Sequence, residues 1–387
     1  MFRKYALVSV ALLVIGAAFM LTGCLGSKTV TIAVAMPLTG EDAEEGKSIV
    51  NAVQLAVDEV NAKGGLFGKP VQLVTKDDHG STETAAKVAG ELCDDKVAAV
   101  IGHYTSSCTL AARDIYFTRK IIMMTPSSTN PAVTDGIYPT IFRVCGRDDK
   151  QGEAAAEHVA AAWPDAKVAL IHDNSSYGKD LADKFLSIFS AKTKKESVLY
   201  THFDRSVVDF EPVVKELKEK EPTVIYFGGL FLQGAELLKA IRSAGINALF
   251  VSGDGCWNEE FIKRAGALSE GCLATFNPQP EGTSEGKAFA REYKAKFGDD
   301  PHPYSLFAYT AAKIIIAAIQ KAGSKDPIAV AQVIRSQQFD TPFGPMSFDQ
   351  KGDPSESPWT VWQVENGKFV TAPKPVPPPA AETPPEK

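Results

Sequence analysis

The chain has 387 residues, 44% hydrophobic and 23% charged, with a formal charge of −6 at pH 7. That length is usual for two domains and ample for a buried core. The mildly acidic balance argues against a nucleic-acid partner.

At the N-terminus, Arg3 and Lys4 precede an apolar run from Tyr5 to Met20, which closes in Leu21-Thr22-Gly23-Cys24. A short basic start, an apolar middle and small residues before a cut describe a secretory signal. The cysteine just after Thr-Gly resembles the lipobox of bacterial lipoproteins. That resemblance implies a cut before Cys24, a lipid on it, and a mature protein held at the outer face of a bacterial membrane. The competing reading is a transmembrane anchor. A span needs about 20 apolar residues, and the stretch from Leu7 to Leu21 is short of that. Residues 1–23 hold Arg3 and Lys4 and no acid, so the mature chain carries −8. Ser27 and Lys28 form a short tether.

Beyond the tether, strand and helix alternate. Val30 to Val34 reads as a buried strand. Ile49, Val53, Ala56, Val57 and Val60 share one helical face, which Gly64-Gly65 ends. A strand from Val71 to Thr75 follows, then a helix capped by Ser81 and running to about Glu91. Val97–Ile101, Ile121–Thr125 and Ile141–Val144 are further strands. The rhythm restarts with a helix from about Lys150 to Ala162 and strands at Val168–Ile171, Val198–His202, Val224–Phe227, Leu249–Ser252 and Leu273–Phe276. Longer helices follow at Gly286–Phe297, Tyr304–Ala322 and Pro327–Ser336. Such alternation predicts an α/β protein with two doubly wound parallel sheets, one in each of two lobes. Thr371 to Lys387 holds seven prolines and reads as an extended tail.

Export favours disulfides, but Cys93, Cys108, Cys145, Cys256 and Cys272 are an odd set, and their spacing matches no zinc pattern. Cys256 and Cys272 flank one predicted helix and could pair across its ends.

The chemistry of catalysis is missing. No GxSxG elbow and no HExxH occur, and the six histidines are scattered. Gly40 to Ser48 imitates a P-loop, but five residues rather than four separate its glycines, and its four carboxylates would repel a phosphate. Gly253-Asp254-Gly255 lacks the third glycine of a dinucleotide fingerprint. No cofactor or metal is expected, and the chain reads as a binder.

Two loops rich in hydroxyls, His103 to Thr109 and Thr125 to Pro131, follow strands of the first lobe. Ligands of open α/β sheets bind beyond the carboxyl ends of strands. Each loop leads toward a helix start, where free N–H groups favour an anion. They suit a carboxylate, unless their hydroxyls serve only as helix caps. Asp254 follows a strand of the second lobe and could hold an ammonium group across a cleft, or be a simple turn aspartate. Tyr177 either packs its helix start or presents a ring to that cleft.

Pro37-Leu38-Thr39-Gly40, Val60-Asn61-Ala62-Lys63-Gly64-Gly65, Asp77-Asp78, Ile101-Gly102-His103, Thr125-Pro126-Ser127-Ser128-Thr129, Asp149-Lys150-Gln151-Gly152, His172-Asp173 with Tyr177-Gly178, and Gly228-Gly229 recur in that order. Together they resemble the leucine/isoleucine/valine-binding proteins of branched-chain amino acid ABC importers, over nearly all of Thr29 to Val370. The resemblance implies a type I periplasmic-binding fold. Its lobes would be 29–147 with 277–354, and 148–276 with 355–370, joined by three crossing segments that act as a hinge. It implies an α-amino acid ligand, an ABC permease as partner, a monomer, and no enzymatic activity. Ser106 matches a serine that binds the ligand carboxylate. Thr129 matches a hydroxyl that binds carboxylate and ammonium, and Ser127 a residue that acts through its backbone. Tyr177 matches an aromatic that closes over the ligand. Asp254 stands where the family has an acid for the ammonium, and Tyr304 near an aromatic of the side-chain pocket. Leu230 replaces a tyrosine of the leucine binders, and Glu45 stands where an aromatic often covers the mouth. Trp257 either reshapes the pocket or packs the core. Two other readings stay open: a sensor of an amide or aromatic acid that feeds a signalling partner, and an exported hydrolase using Ser106 with His103 as base.

Overall fold

The computed structural model describes residues 29–375 except 208 and 281–282. The leader, Cys24, the tether at Ser27 and Lys28, and the tail beyond residue 375 lie outside the described residues. Strands β1 (Thr31–Met36), β2 (Gln72–Asp77), β3 (Ala99–Gly102), β4 (Ile122–Thr125) and β5 (Ile141–Arg143) form one parallel sheet in the order β2-β1-β3-β4-β5. Strands β6 (Val168–His172), β7 (Leu199–His202), β8 (Val224–Gly228), β9 (Leu249–Ser252) and β10 (Leu273–Phe276) form the parallel part of a second.

Alternation within each strand sends side chains to two opposite cores, as a sheet covered on both faces requires. From β1, Ile32, Val34 and Met36 pack with the helices Ala43–Ala62 and Ser305–Ala322. Ala33 and Ala35 pack with Thr82–Asp94 and Ser106–Thr118 on the other face. In the second sheet Val168 and Leu170 join the core of Asp148–Ala162 and Ser176–Thr193. Ala169 and Ile171 face Glu211–Lys220 and Phe231–Ser243.

The helix ends follow their sequence signals. Ser81 accepts a hydrogen bond from the Thr84 N–H, and Gly64 at φ 99° lets the chain leave the helix Ala43–Ala62 in the left-handed region.

Two pairings were not foreseen. The strands β11 (Phe339–Thr341) and β12 (Gly344–Met346) form a small antiparallel hairpin. The strands β13 (Thr360–Glu365) and β14 (Lys368–Thr371) add an antiparallel edge to the second sheet, giving β14-β13-β10-β9-β8-β6-β7. Asn366 and Gly367, at φ 53° and 71°, make the tight turn between them. This moves the start of the proline-rich tail. Thr371 pairs with Trp362, and the Ala372 N–H bonds the Val361 carbonyl at 2.9 Å.

The Cys256–Cys272 bridge that the spacing allowed is not formed; all five described cysteines are buried free thiols. Cys256 follows the carboxyl end of β9, whereas Cys272 precedes the amino end of its parallel neighbour β10. The strands thus hold the two thiols at opposite ends, and a disulfide needs Cα atoms within about 7 Å.

The chain passes between the sheets three times: after β5, after β10 and before β13. Those passages place the carboxyl ends of β3 and β4 opposite those of β6, β8 and β9. The structure therefore has the two parallel-sheet lobes that the alternation predicts.

Candidate functional site

The two lobes meet over a cavity of about 130 Å³. Of the seven ligand-site residues expected from sequence, Ser106, Ser127, Tyr177, Leu230, Asp254 and Tyr304 line it. Thr129 does not. It is buried behind the wall, where its carbonyl accepts the Asp148 N–H at 3.0 Å.

On the first lobe, Thr105 caps the helix Ser106–Thr118 by accepting from the Cys108 N–H at 3.3 Å. Ser106 is the first residue of that helix, so its N–H is among the unsatisfied ones of the N-terminal turn. Its Oγ accepts from the Asn130 N–H at 3.3 Å, which leaves the hydroxyl proton free. Ser127 spends its own proton on the Tyr104 carbonyl at 2.8 Å. The second loop is stitched to the first: Ser128 Oγ lies 2.6 Å from Thr109 Oγ1, and Thr125 Oγ1 donates to the His103 carbonyl at 2.9 Å. Arg143, fully buried, donates to the carbonyls of Ser128 and Asn130 at 2.6 and 3.0 Å and to Asp353 at 2.6 Å. Sequence reading missed this arginine, which holds the loop backbone in place.

Asp254 faces these loops from the second lobe. Gln151 Nε2 and the Tyr177 hydroxyl donate to its Oδ1 at 2.7 and 2.6 Å, and the Tyr304 hydroxyl donates to its Oδ2. A carboxylate has about four lone-pair sites, so one acceptor position on Oδ2 is still available to a cation. Burial pushes the Asp254 carboxyl up, against those hydrogen bonds, which favour its charged form. Asp148 is fully buried, neither of its carboxyl oxygens has a hydrogen-bond partner among the described residues, and burial followed by the Asp254 charge holds its pKa well above the usual carboxylate range. The phenols of Tyr177 and Tyr304 are likewise pushed well above 10 by burial first and Asp254 second, so both are neutral donors.

Asp173 and Arg205 also line the cavity. They stand just past β6 and β7, where the strand-end rule that found the serine loops would have found them too. Asp173 Oδ1 accepts from the Ser175 N–H at 3.1 Å and from its hydroxyl, while Oδ2 has no partner among the described residues. Arg205 bonds Asp42 of the other lobe through Nη2, and its Nε has no partner among the described residues. Burial raises the Asp173 pKa, opposed in part by the Ser175 hydrogen bond and then by the Arg205 charge. Arg205 further lines a wider cleft of about 1400 Å³ at the rim, with Glu41, Glu44 and His302.

Across the rim the lobes are bonded to one another. Gln233 donates to Glu41 at 2.9 Å, and Asn130 donates to Asp180 at 2.9 Å and to the Ser176 carbonyl at 2.7 Å. Glu45 accepts from Asn258 at 2.7 Å and lies 2.7 Å from His302 Nδ1, so it bridges the lobes rather than covering the cavity. Trp257 packs the core, stacked on Phe276 at 4.3 Å between ring centres.

The base that a hydrolase would need is committed elsewhere. His103 is fully buried, with Nδ1 2.6 Å from Asp78 and Nε2 3.2 Å from the Tyr116 hydroxyl, and it does not line the cavity.

Two lobes with parallel sheets and a polar cavity at their strand ends define a two-lobed solute-binding protein. The chain belongs to the periplasmic binding protein family, whose pattern it matches over residues 29–368. It is 35% identical over 340 residues to Leu/Ile/Val-binding protein homolog 2 of Brucella abortus, covering 88% of this chain and 91% of that one. Its fold matches the leucine-binding protein LivK of Thermotoga maritima with a TM-score of 0.81 at 29% identity, covering 89% and 98% of the two chains. It also matches the branched-chain amino acid transporter substrate-binding protein LivJ of Streptococcus pneumoniae, solved with isoleucine, with a TM-score of 0.79 at 28% identity, covering 91% and 100%. The fold is thus the type I periplasmic-binding fold, and these relatives are binding proteins rather than enzymes.

Proposed function

We propose that this chain is the receptor of an ABC importer, tethered by a lipid on Cys24, and that it captures an α-amino acid by closing two lobes on it as a monomer. The lobes are taken as 29–147 with 277–354, and 148–276 with residues 355 to the end of β14. One observation carries the reading: the buried Asp254 carboxylate faces the Ser106 helix start across a cavity sized for one small molecule. The ammonium takes the remaining acceptor position of Asp254. The carboxylate takes the Ser106 hydroxyl and the N–H groups of the helix start. Both ligand charges leave water on closure, so each needs a fixed partner inside. A ligand that bridges the lobes favours the closed arrangement by its differential affinity. The closed protein is then the form presented to the permease.

A thermal-shift screen with the twenty amino acids tests this, because a ligand at 100 times its Kd adds about 2.7 kcal/mol of stability. Calorimetry on Asp254→Ala and Ser106→Ala follows. Loss of one buried donor at Ser106 is expected to cost about 1–3 kcal/mol of affinity, and loss of the Asp254 charge at least as much. Unchanged affinity in Asp254→Ala would overturn the assignment.

A further inference from the structure

We propose that the bound amino acid carries a carboxamide side chain, so that glutamine or asparagine is preferred to the hydrocarbon amino acids. The inference rests on the cavity being an amino-acid site. Among the described residues, Asp173 and Arg205 provide it with an unpaired acceptor and an unpaired donor, neither of which is assigned to the ligand's two charges. Asp173 is buried and pinned: its Oδ1 serves Ser175 at the start of the helix Ser176–Thr193, and a Cβ at Gly178 would come within 2.3 Å of that oxygen. Oδ2 is left over. Arg205 gives Nη2 to Asp42, and its Nε–H is left over. A carboxamide offers an N–H2 and a carbonyl on adjacent atoms, which answers both. An acidic side chain could pair with Arg205 but would be set against the Asp173 carboxylate, and a basic one could pair with Asp173 but would be set against the Arg205 guanidinium. A hydroxyl is one atom and reaches one of the two. A hydrocarbon leaves both unpaired, and a site built to hydrogen-bond its ligand rejects the analogue that cannot. Among the described residues lining the cavity, Leu230 is the single aliphatic side chain, and the rings of Tyr104, Tyr177 and Tyr304 make up the rest of the apolar wall.

The test is calorimetric titration of the mature protein with L-glutamine, L-asparagine, L-threonine, L-leucine, L-isoleucine and L-valine. One of the amides is expected to bind at least about tenfold more tightly than any hydrocarbon amino acid. Two conservative variants locate the preference. Asp173→Asn keeps an oxygen for Ser175 and turns the free acceptor into a donor. Arg205→Lys keeps the charge opposite Asp42 and removes the Nε–H. Each is expected to weaken the amide about tenfold and leucine less than about threefold. Leucine, isoleucine, valine or threonine binding as tightly as the better amide overturns the inference, as does an equal loss for leucine and amide in both variants. If no amino acid binds, the amino-acid reading of the cavity itself fails, and the side-chain assignment falls with it.

Discussion

Arg205 Nη2 reaches both carboxylate oxygens of Asp42, at 3.2 and 3.1 Å, from the opposite side of the cleft. The pair joins the loop after β7 to the residue that precedes the helix Ala43–Ala62, so it exists only while the lobes are together. Its contribution is to the balance between open and closed forms, and Asp42 holds Arg205 without itself lining the cavity. Asp42→Asn is therefore expected to weaken every amino-acid ligand by the same factor, about 3–10-fold for a partly buried pair worth roughly 1 kcal/mol. Titrating two chemically different ligands into the variant checks this. A loss confined to one of them would make Asp42 a recognition group instead.

Acid should weaken binding. On the proposed assignment the ligand's ammonium needs Asp254 ionised, and burial has raised the Asp254 pKa. Affinity is expected to fall as pH drops through that raised value, above the range in which an exposed aspartate titrates. In the same range binding should release a proton, because the ammonium favours the carboxylate. Calorimetry in buffers of different ionisation enthalpy measures that proton directly.

Stability should respond to pH in the opposite sense. The folded pKa of Asp148 is raised well above its ordinary value, burial being the first cause. A raised folded pKa gives stability that is complete below the unfolded value of about 3.9 and is lost as pH rises through the folded one. Asp148→Asn removes that loss. Its unfolding temperature is expected to exceed the wild type's more at neutral pH than near pH 4, as scanning calorimetry would show. Equal differences at both pH values would mean that the acid titrates normally.

Backbone contact at the base of the site should tolerate no side chain. A Cβ at Gly228 would come within 2.1 Å of the Gly178 carbonyl oxygen, and neither β8 nor the helix start can yield. Gly228→Ala is expected to cost about 1–3 kcal/mol or more, read as a lower midpoint in urea.

The thiols should be silent until the fold opens. Burial pushes Cys108 and Cys272 up to about 12 and leaves Cys145 and Cys256 higher still. A soluble form lacking Cys24 is expected to show five thiols to a disulfide reagent in denaturant. A reducing agent should leave its unfolding temperature unchanged. Three thiols in denaturant would restore the Cys256–Cys272 bridge.

The strands and both serine loops were legible because period and turn chemistry are local. Apolar runs such as Thr31–Met36 admit few readings, and hydroxyls after a strand have few structural uses. The edge hairpin was legible in principle, since Asn366-Gly367 between Val364 and Phe369 is a strong turn signal, but the prolines that follow drew Thr371 into the tail. Asp173 and Arg205 were within reach of the strand-end rule but stand in loops less rich in hydroxyls, and Arg143 was not found because an isolated charge in sequence carries no sign of burial. What singles out the two arginines is the partner, Asp353 for Arg143 and Asp42 for Arg205, brought from far along the chain. Thr129 lies off the cavity for a related reason: register within a loop decides which hydroxyl reaches the cavity, and letters do not report it.

The chain threads from one sheet to the other in three places. A door on a single pin can sag and twist, whereas one on three pins swings along one arc. Under the proposed closure, whatever is caught inside meets the same walls at every shutting, and the Asp254 side returns to the Ser106 side in one alignment.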